Sequence, residues 1–187
     1  MNLKPDERKR LERFVALADK IINSRFVQQT TNLKVEMKFE IGKPSEQILE
    51  GVDEDSMRSA LIDIRKLLLE KDGTKFTDIC DIVINNAPND TVKTTAVGWR
   101  GLYDGLMNNV PPIHITTGET LHKNEKILSD WIYGYYIHED EDKAQSLEST
   151  GILLTMHKYM FVNTILILAR FAHGLAEQAK LVISASS

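Results

Sequence analysis

The C-terminal end of this chain carries very little charge, and this feature limits the possible folds more than any other. Residues 149–187 contain only four charged side chains: Lys158, Arg170, Glu177 and Lys180. Eleven uncharged residues lie between Lys158 and Arg170. A helix that is apolar on nearly every side has to be buried, but a bilayer span requires about 20 residues. We therefore expect the central helix of a mainly helical domain, or a helix that a protein partner helps to cover.

Length and charge narrow the class of protein. The 187 residues fit one domain, residues 1–187, and the 42% apolar and 27% charged fractions are those of a globular protein. A net charge of −4 argues against general nucleic-acid binding. The charge is uneven, because residues 1–25 have seven basic and four acidic side chains, whereas residues 119–148 have three and eight. This polarity can steer a protein partner or a self-contact, although two solvated faces are the simpler explanation.

The cysteine content and the N-terminus favour a cytoplasmic protein. Cys80 is the single cysteine, so an intramolecular disulfide is excluded, and the neighbouring Asp78 and Asp81 disfavour its thiolate. We expect Cys80 to be a buried, inert residue. The segment 1–6 has no apolar core of a secretory signal. The sequence indicates neither a membrane span nor a cofactor.

Apolar residues at spacings of three and four predict about six helices. The first begins at Pro5 and continues past Phe26, and the second begins at Asp53 and closes at Asp72-Gly73. The others are expected at Phe76–Val83, from Asn89-Asp90, at about 121–137 and from about Gly151. The fourth helix is expected to bury Ala96, Trp99, Leu102, Tyr103 and Leu106.

In one segment the spacing of the apolar residues changes from that of a helix to that of a strand. From Leu33 to Ile41, apolar residues alternate with charged ones, which predicts a half-buried strand. Its partner is expected at Ile113–Thr116 or in another chain. The predicted fold is thus a helical, bundle-like domain with a minor two-stranded β element.

The densest polar cluster lies at residues 134–143. His138 with Asp140 or Asp142 could offer nitrogen and oxygen ligands to a divalent metal ion. The segment lacks the glycine and the closing glutamate of a calcium-binding loop. Helix capping by the same residues is the simpler interpretation, because a histidine suits a helix C-terminus and an aspartate suits the next N-terminus.

A resemblance to a known group of proteins arises at the same segment. Gly134, His138, Asp140 and Lys143, preceded by Asp130-Trp131, resemble a segment of uncharacterised bacterial proteins. Those proteins also have a helix similar to residues 59–68 of this chain. The resemblance implies a bacterial or phage-related origin, and it brings no established activity with it.

A second polar group lies along the C-terminal helix. Arg170, His173 and Glu177 follow helical spacing and could form a catalytic group. An arginine and a histidine invite comparison with helical ribonucleases of the HEPN type. Those enzymes separate the two residues by more than the two positions found here, so the pattern is not met. A solvated stripe or a structural network is the simpler explanation.

Known catalytic signatures are absent from the sequence. It contains no phosphate-binding glycine-rich loop, no H-E-x-x-H, no C-x-x-C and no G-x-S-x-G. The sequence therefore favours a non-enzymatic interaction or accessory subunit of a bacterial multi-protein system, for example in phage defence. Such a subunit would bind a protein partner or itself through helical surfaces. The alternative is a metal-dependent or HEPN-like nuclease or hydrolase.

Overall fold

The described part of the chain is mainly helical, as the sequence predicts. The computed structural model describes residues 3–32, 53–108, 125, 128, 129 and 153–186, and for residues 31, 32, 54 and 153–163 it describes the backbone only. Six helices lie in these ranges: α1 Pro5–Ile22, α2 Arg25–Asn32, α3 Glu54–Lys66, α4 Phe76–Asn85, α5 Asp90–Asn108 and α6 Leu153–Ala185. The predicted strands at 33–41 and 113–116 lie outside the described residues, as does the predicted helix at 121–137 except for residues 125, 128 and 129.

The first predicted helix is in fact two helices. Pro5 occupies the N-terminus of α1 as predicted, and the backbone N–H of Lys4 donates to the Glu7 carboxylate at 3.1 Å. The prediction of one continuous helix past Phe26 was wrong. The Ser24 hydroxyl donates to the Ile21 carbonyl at 2.7 Å and accepts from the Val27 N–H at 3.3 Å. This side chain closes α1 and caps α2, as serine does where it competes with the helical ladder.

Helix α3 begins as predicted but ends earlier. The Asp53 carboxylate caps it by accepting from the N–H groups of Asp55 and Ser56 at 3.1 and 3.4 Å. The helix ends at Lys66 and not at Asp72-Gly73. Two later residues satisfy the carbonyls at its C-terminus. Thr74 Oγ1, in the connection, donates to Lys66 O at 3.3 Å, and the N–H of Phe76, the first residue of α4, donates to Leu67 O at 2.8 Å.

Helix α6 is the central helix, which confirms the expectation for the weakly charged C-terminal end. It contacts each of the other five described helices, and its most extensive contact is with α1. Eight of its side chains are fully buried: Ile165, Leu168, Ala169, Ala172, Leu175, Ala176, Ala179 and Val182. The side chains of residues 159–163 lie outside the described ones. No helix among the described residues combines the length and apolarity that crossing a membrane requires.

Aromatic rings fill the centre of the core where α1, α4 and α5 meet. The Phe14 ring contacts the Phe76 ring edge-on with centroids 6.4 Å apart, and Phe76 stacks on Tyr103 at 4.5 Å. All three side chains have no solvent exposure. Cys80 on α4 is also fully buried, as predicted. These contacts orient α5, and with it the surface described below.

Helices α5 and α6 approach each other closely at a glycine. The Trp99 ring lies over Gly174, such that a Cβ atom at position 174 would meet three ring atoms at 2.1, 2.5 and 2.8 Å. The same ring contacts Phe171 with centroids 5.6 Å apart. Gly174 is therefore required by packing, since carbon atoms in contact are normally about 3.5–4.0 Å apart.

Candidate interaction surface on helix α5

A buried ionic cluster holds residue 125 against the helical body. Lys75 Nζ lies 3.0 Å from Glu125 Oε2, and the Tyr103 hydroxyl donates to Glu125 Oε1 at 2.5 Å. The side chains of Lys75 and Glu125 are 8% and 2% exposed. Burial and the adjacent Glu125 raise the pKa of Tyr103 well above its usual value, so this phenol stays protonated. The cluster is closed to solvent and has a structural role, because it joins Lys75, Tyr103 and Glu125.

A second ionic cluster lies at the edge of the α4–α5 contact. Arg100 donates to the carbonyl of Thr77 at 3.2 Å and to the Asp81 carboxylate at 2.9 Å, and its Nε lies 3.4 Å from Asp104 Oδ1. Two carboxylates share one guanidinium, so this "Arg100 cluster" (Asp81, Arg100 and Asp104) has a net charge of −1. It lies beside Cys80, whose pKa burial raises to about 12 despite the opposing effect of Arg100. This thiol is therefore not a nucleophile.

The residues of α5 beyond Lys93 that are most exposed to solvent are all uncharged. We call this surface the "α5 face". Its members are exposed residues between 94 and 108: Thr94, Val97, Gly98, Gly101, Leu102, Gly105 and Asn108. Val97 is 50% exposed and Leu102 is 54% exposed, so the prediction that Leu102 points inward was wrong. The core-facing side of the helix uses Val92, Ala96, Tyr103 and Met107 instead. A surface helix usually presents charged and polar residues to solvent.

Gly98 and Gly101 lie in the middle of this face. A Cβ atom at either position would meet no atom within 4 Å among the residues that the structure describes. This environment is the opposite of that of Gly174, where a methyl group has no room. Glycine inside a helix costs about 1 kcal/mol relative to alanine. Packing within the described part of the chain therefore does not explain why these two positions are glycine.

The residues of the HEPN-like alternative lie on the outside of α6. Arg170, His173 and Glu177 are all exposed, and no hydrogen bond or ion pair among the described residues joins Arg170 to His173. Glu177 instead binds Lys180 at 2.8 Å, and Lys180 Nζ lies 3.5 Å from Asp19 on α1. The hydrogen bond from Lys180 lowers the pKa of Glu177. These contacts are those of a surface ion pair.

The candidate metal ligands His138, Asp140 and Asp142 lie outside the described residues. Within the ranges that are described, no group of three or more histidine, cysteine, aspartate or glutamate side chains is placed to hold a metal ion.

Sequence reasoning missed both the buried cluster and the α5 face. Nothing local marks Lys75 or Glu125, because they are 50 positions apart and meet only in the fold. The α5 face did leave a signal. From Thr94 to Asn108 the only charged residues are Arg100 and Asp104, which are one helical turn apart and therefore lie on the same side.

The described part of the chain defines a mainly α-helical protein with a central C-terminal helix. Comparisons with protein-family models, with curated proteins and with solved structures found no match. The bacterial resemblance at residues 130–143 and 59–68 thus remains an expectation from the sequence.

Proposed function

We propose that this protein is a non-enzymatic interaction or accessory subunit that binds a protein through the α5 face. The observation that carries the proposal is the absence of charge on an exposed helical surface that also presents Val97 and Leu102 half-exposed. Val97 and Leu102 lie about 140° apart around the helix, at the two edges of the α5 face, with Gly98 and Gly101 between them. Exposed apolar surface of this kind is typical of interaction sites. The bacterial setting, a role in a multi-protein system such as phage defence, and the cytoplasmic location belong to the same proposal and rest on the sequence.

The energetics of α5 support an interaction role. Two helical glycines cost about 2 kcal/mol relative to alanine, without a compensating contact in the described chain. Natural sequences tend to agree with their fold at every level, and local conflicts concentrate at functional sites. A glycine on an outer helical face permits another backbone to approach closely. Binding of a partner at this face would offset the cost.

The enzymatic alternative has weaker support. Arg170, His173 and Glu177 are exposed on the outside of α6. No observation on the described residues favours hydrolysis over binding.

Site-specific photo-crosslinking tests the proposal. A photoreactive amino acid replaces Leu102 on the α5 face or Leu181 on α6, which is a matched control because the two leucines are 54% and 49% exposed. We expect one defined protein adduct from position 102 in cells that express the protein, and none from position 181. Mass spectrometry would identify the adduct.

A second variant separates binding from folding. The double substitution Gly98→Ala and Gly101→Ala adds two methyl groups that the fold accommodates but that a closely packed partner would not. We expect the adduct from position 102 to be lost while the helix content is retained. Equal adducts from positions 102 and 181, or an adduct that both alanines leave unchanged, would contradict the proposal.

A further inference from the structure

We infer that the α5 face binds the same face of a second copy of this chain, with the two α5 helices antiparallel. This inference rests on the proposed function and specifies its partner. The occupant of an uncharged face has to be uncharged where it makes contact, because a charge buried there would lose its hydration without gaining a partner. The α5 face meets this condition itself, since its members between 94 and 108 are all uncharged.

The charges beside the α5 face determine how the two α5 helices run relative to each other. Lys93 is exposed and forms no ion pair among the described residues. The Arg100 cluster, with its net charge of −1, includes Asp104, whose side chain is 39% exposed. Lys93 and Asp104 are eleven positions apart, which is close to three helical turns, so they lie on the same side of α5.

A two-fold axis brings these opposite charges together. Lys93 and Asp104 are separated by roughly 16 Å along the helix. If the axis passes between positions 98 and 99, each Lys93 lies level with Asp104 of the other copy, and two ion pairs form by symmetry. A parallel two-fold pair would instead place the two Lys93 residues on opposite flanks of the contact, with each Lys93 roughly 16 Å along the helix from Asp104 of the other copy. The antiparallel pairing therefore satisfies the charges, and the parallel one does not.

The same axis places the glycines at the point of closest approach. Gly98 of one copy lies beside Gly98 of the other, and the two helices can approach because neither has a side chain there. Thr94, on the same face, is then separated from Thr94 of the second copy by roughly 13 Å along the helix. One helix pair is smaller than a standard interface of about 1,600 Å². The dimer is therefore weak and depends on protein concentration.

Disulfide trapping tests the arrangement. In a Cys80→Ala background, Val97→Cys and Thr94→Cys each provide one thiol on the α5 face and leave the glycine positions without side chains. The proposed axis separates the two copies of position 97 by only roughly 4.5 Å along the helix, and a disulfide requires Cα atoms within about 7 Å. Under mild oxidation we expect covalent dimers from Val97→Cys and none from Thr94→Cys. Dimers from both variants would indicate parallel or non-specific pairing and would overturn the inference.

Sedimentation of the intact chain tests the charges. We expect the wild-type protein to dimerise as its concentration rises. Lys93→Glu should weaken the dimer about five- to tenfold, since it replaces two exposed ion pairs by repulsion. Lys9→Glu is the matched control, because Lys9 is an exposed lysine on α1. Equal effects of the two substitutions would contradict the predicted pairing.

The outcomes also separate this inference from the proposed function. A wild-type chain that stays monomeric, together with no trapped dimer, overturns the second copy as the occupant. If position 102 nevertheless crosslinks to a different protein, the interaction role stands with another partner. If position 102 yields no adduct to any protein, this copy included, both proposals fail.

Discussion

Gly174→Ala and Gly98→Ala make the same chemical change on two helices, and we expect opposite effects on stability. At position 174 the new methyl group would lie 2.1 Å from the nearest atom of the Trp99 ring. At position 98 it would meet no described atom within 4 Å. The helix itself gains about 1 kcal/mol from either substitution. The difference between the two variants therefore measures the packing of Trp99 alone.

The magnitude follows from the contacts of the ring. Inserting a methyl group into a filled site costs about 1–3 kcal/mol. The Trp99 ring can relieve the overlap by moving away from Phe171, which forfeits an aromatic contact of about 0.5–1.5 kcal/mol. After the gain in helix propensity, we expect Gly174→Ala to lower the free energy of unfolding by about 1–3 kcal/mol. We expect Gly98→Ala to raise it by up to about 1 kcal/mol.

Urea denaturation followed by circular dichroism measures both values. The protein has to be dilute, because self-association would add to the apparent stability of the wild type. Trp99→Leu in the Gly174→Ala background provides a further check. If the clash is the cause, the smaller side chain should recover part of the loss, so that the two substitutions are not additive. A Gly174→Ala variant as stable as the wild type would refute the reasoning.

Three further predictions concern the polar contacts and the backbone. Lys75→Met should cost about 3–5 kcal/mol in urea denaturation, because it removes the cation that lies 3.0 Å from the buried Glu125 carboxylate. The double variant with Glu125→Gln should cost less, and equal losses would argue against the ion pair. Gly73→Ala should cost about 1–2 kcal/mol, because the φ angle of Gly73 is +69°; an unchanged thermal midpoint would contradict this. Burial raises the pKa of Cys80 from 9.0 to about 12, so the unfolded chain loses the thiol proton at a lower pH than the folded chain. The contribution of the protonated thiol to stability is therefore complete below pH 9.0 and is lost as the pH rises to about 12. From pH 9 to pH 10 the wild type should therefore lose about 1 kcal/mol more than Cys80→Ala, and parallel curves would show that the thiol is not the cause.

Local rules predicted the helix starts well and their ends poorly. Pro5 and Asp53 mark N-termini because each acts on backbone groups within its own turn. The end of α3 depends instead on the N–H of Phe76, which reaches back to the Leu67 carbonyl from nine positions away. The break at Ser24 was hidden for a different reason. Apolar residues continue at helical spacing on both sides of it, so the period alone does not show a change of axis.

Periodicity identified α5 as a helix but misjudged which of its residues face the core. Trp99, Leu102 and Leu106 all fit the apolar spacing, yet Leu102 is 54% exposed. Its neighbour Tyr103 takes the inward position, where it stacks on Phe76 and donates to Glu125. Adjacent residues are about 100° apart on a helix. The partners on other helices therefore decide which of two neighbouring apolar residues is buried.

This choice of Tyr103 over Leu102 links the core of the protein to its proposed binding surface. Because Tyr103 is held by Phe76 and Glu125, Leu102 has to lie about 100° away, on the α5 face. The same rotation turns Arg100 toward Asp81 on α4, which removes its charge from the exposed side. A Tyr103→Phe variant keeps the stacking but removes the hydrogen bond to Glu125. We expect it to lose stability while the charge-free face, and binding through it, are retained.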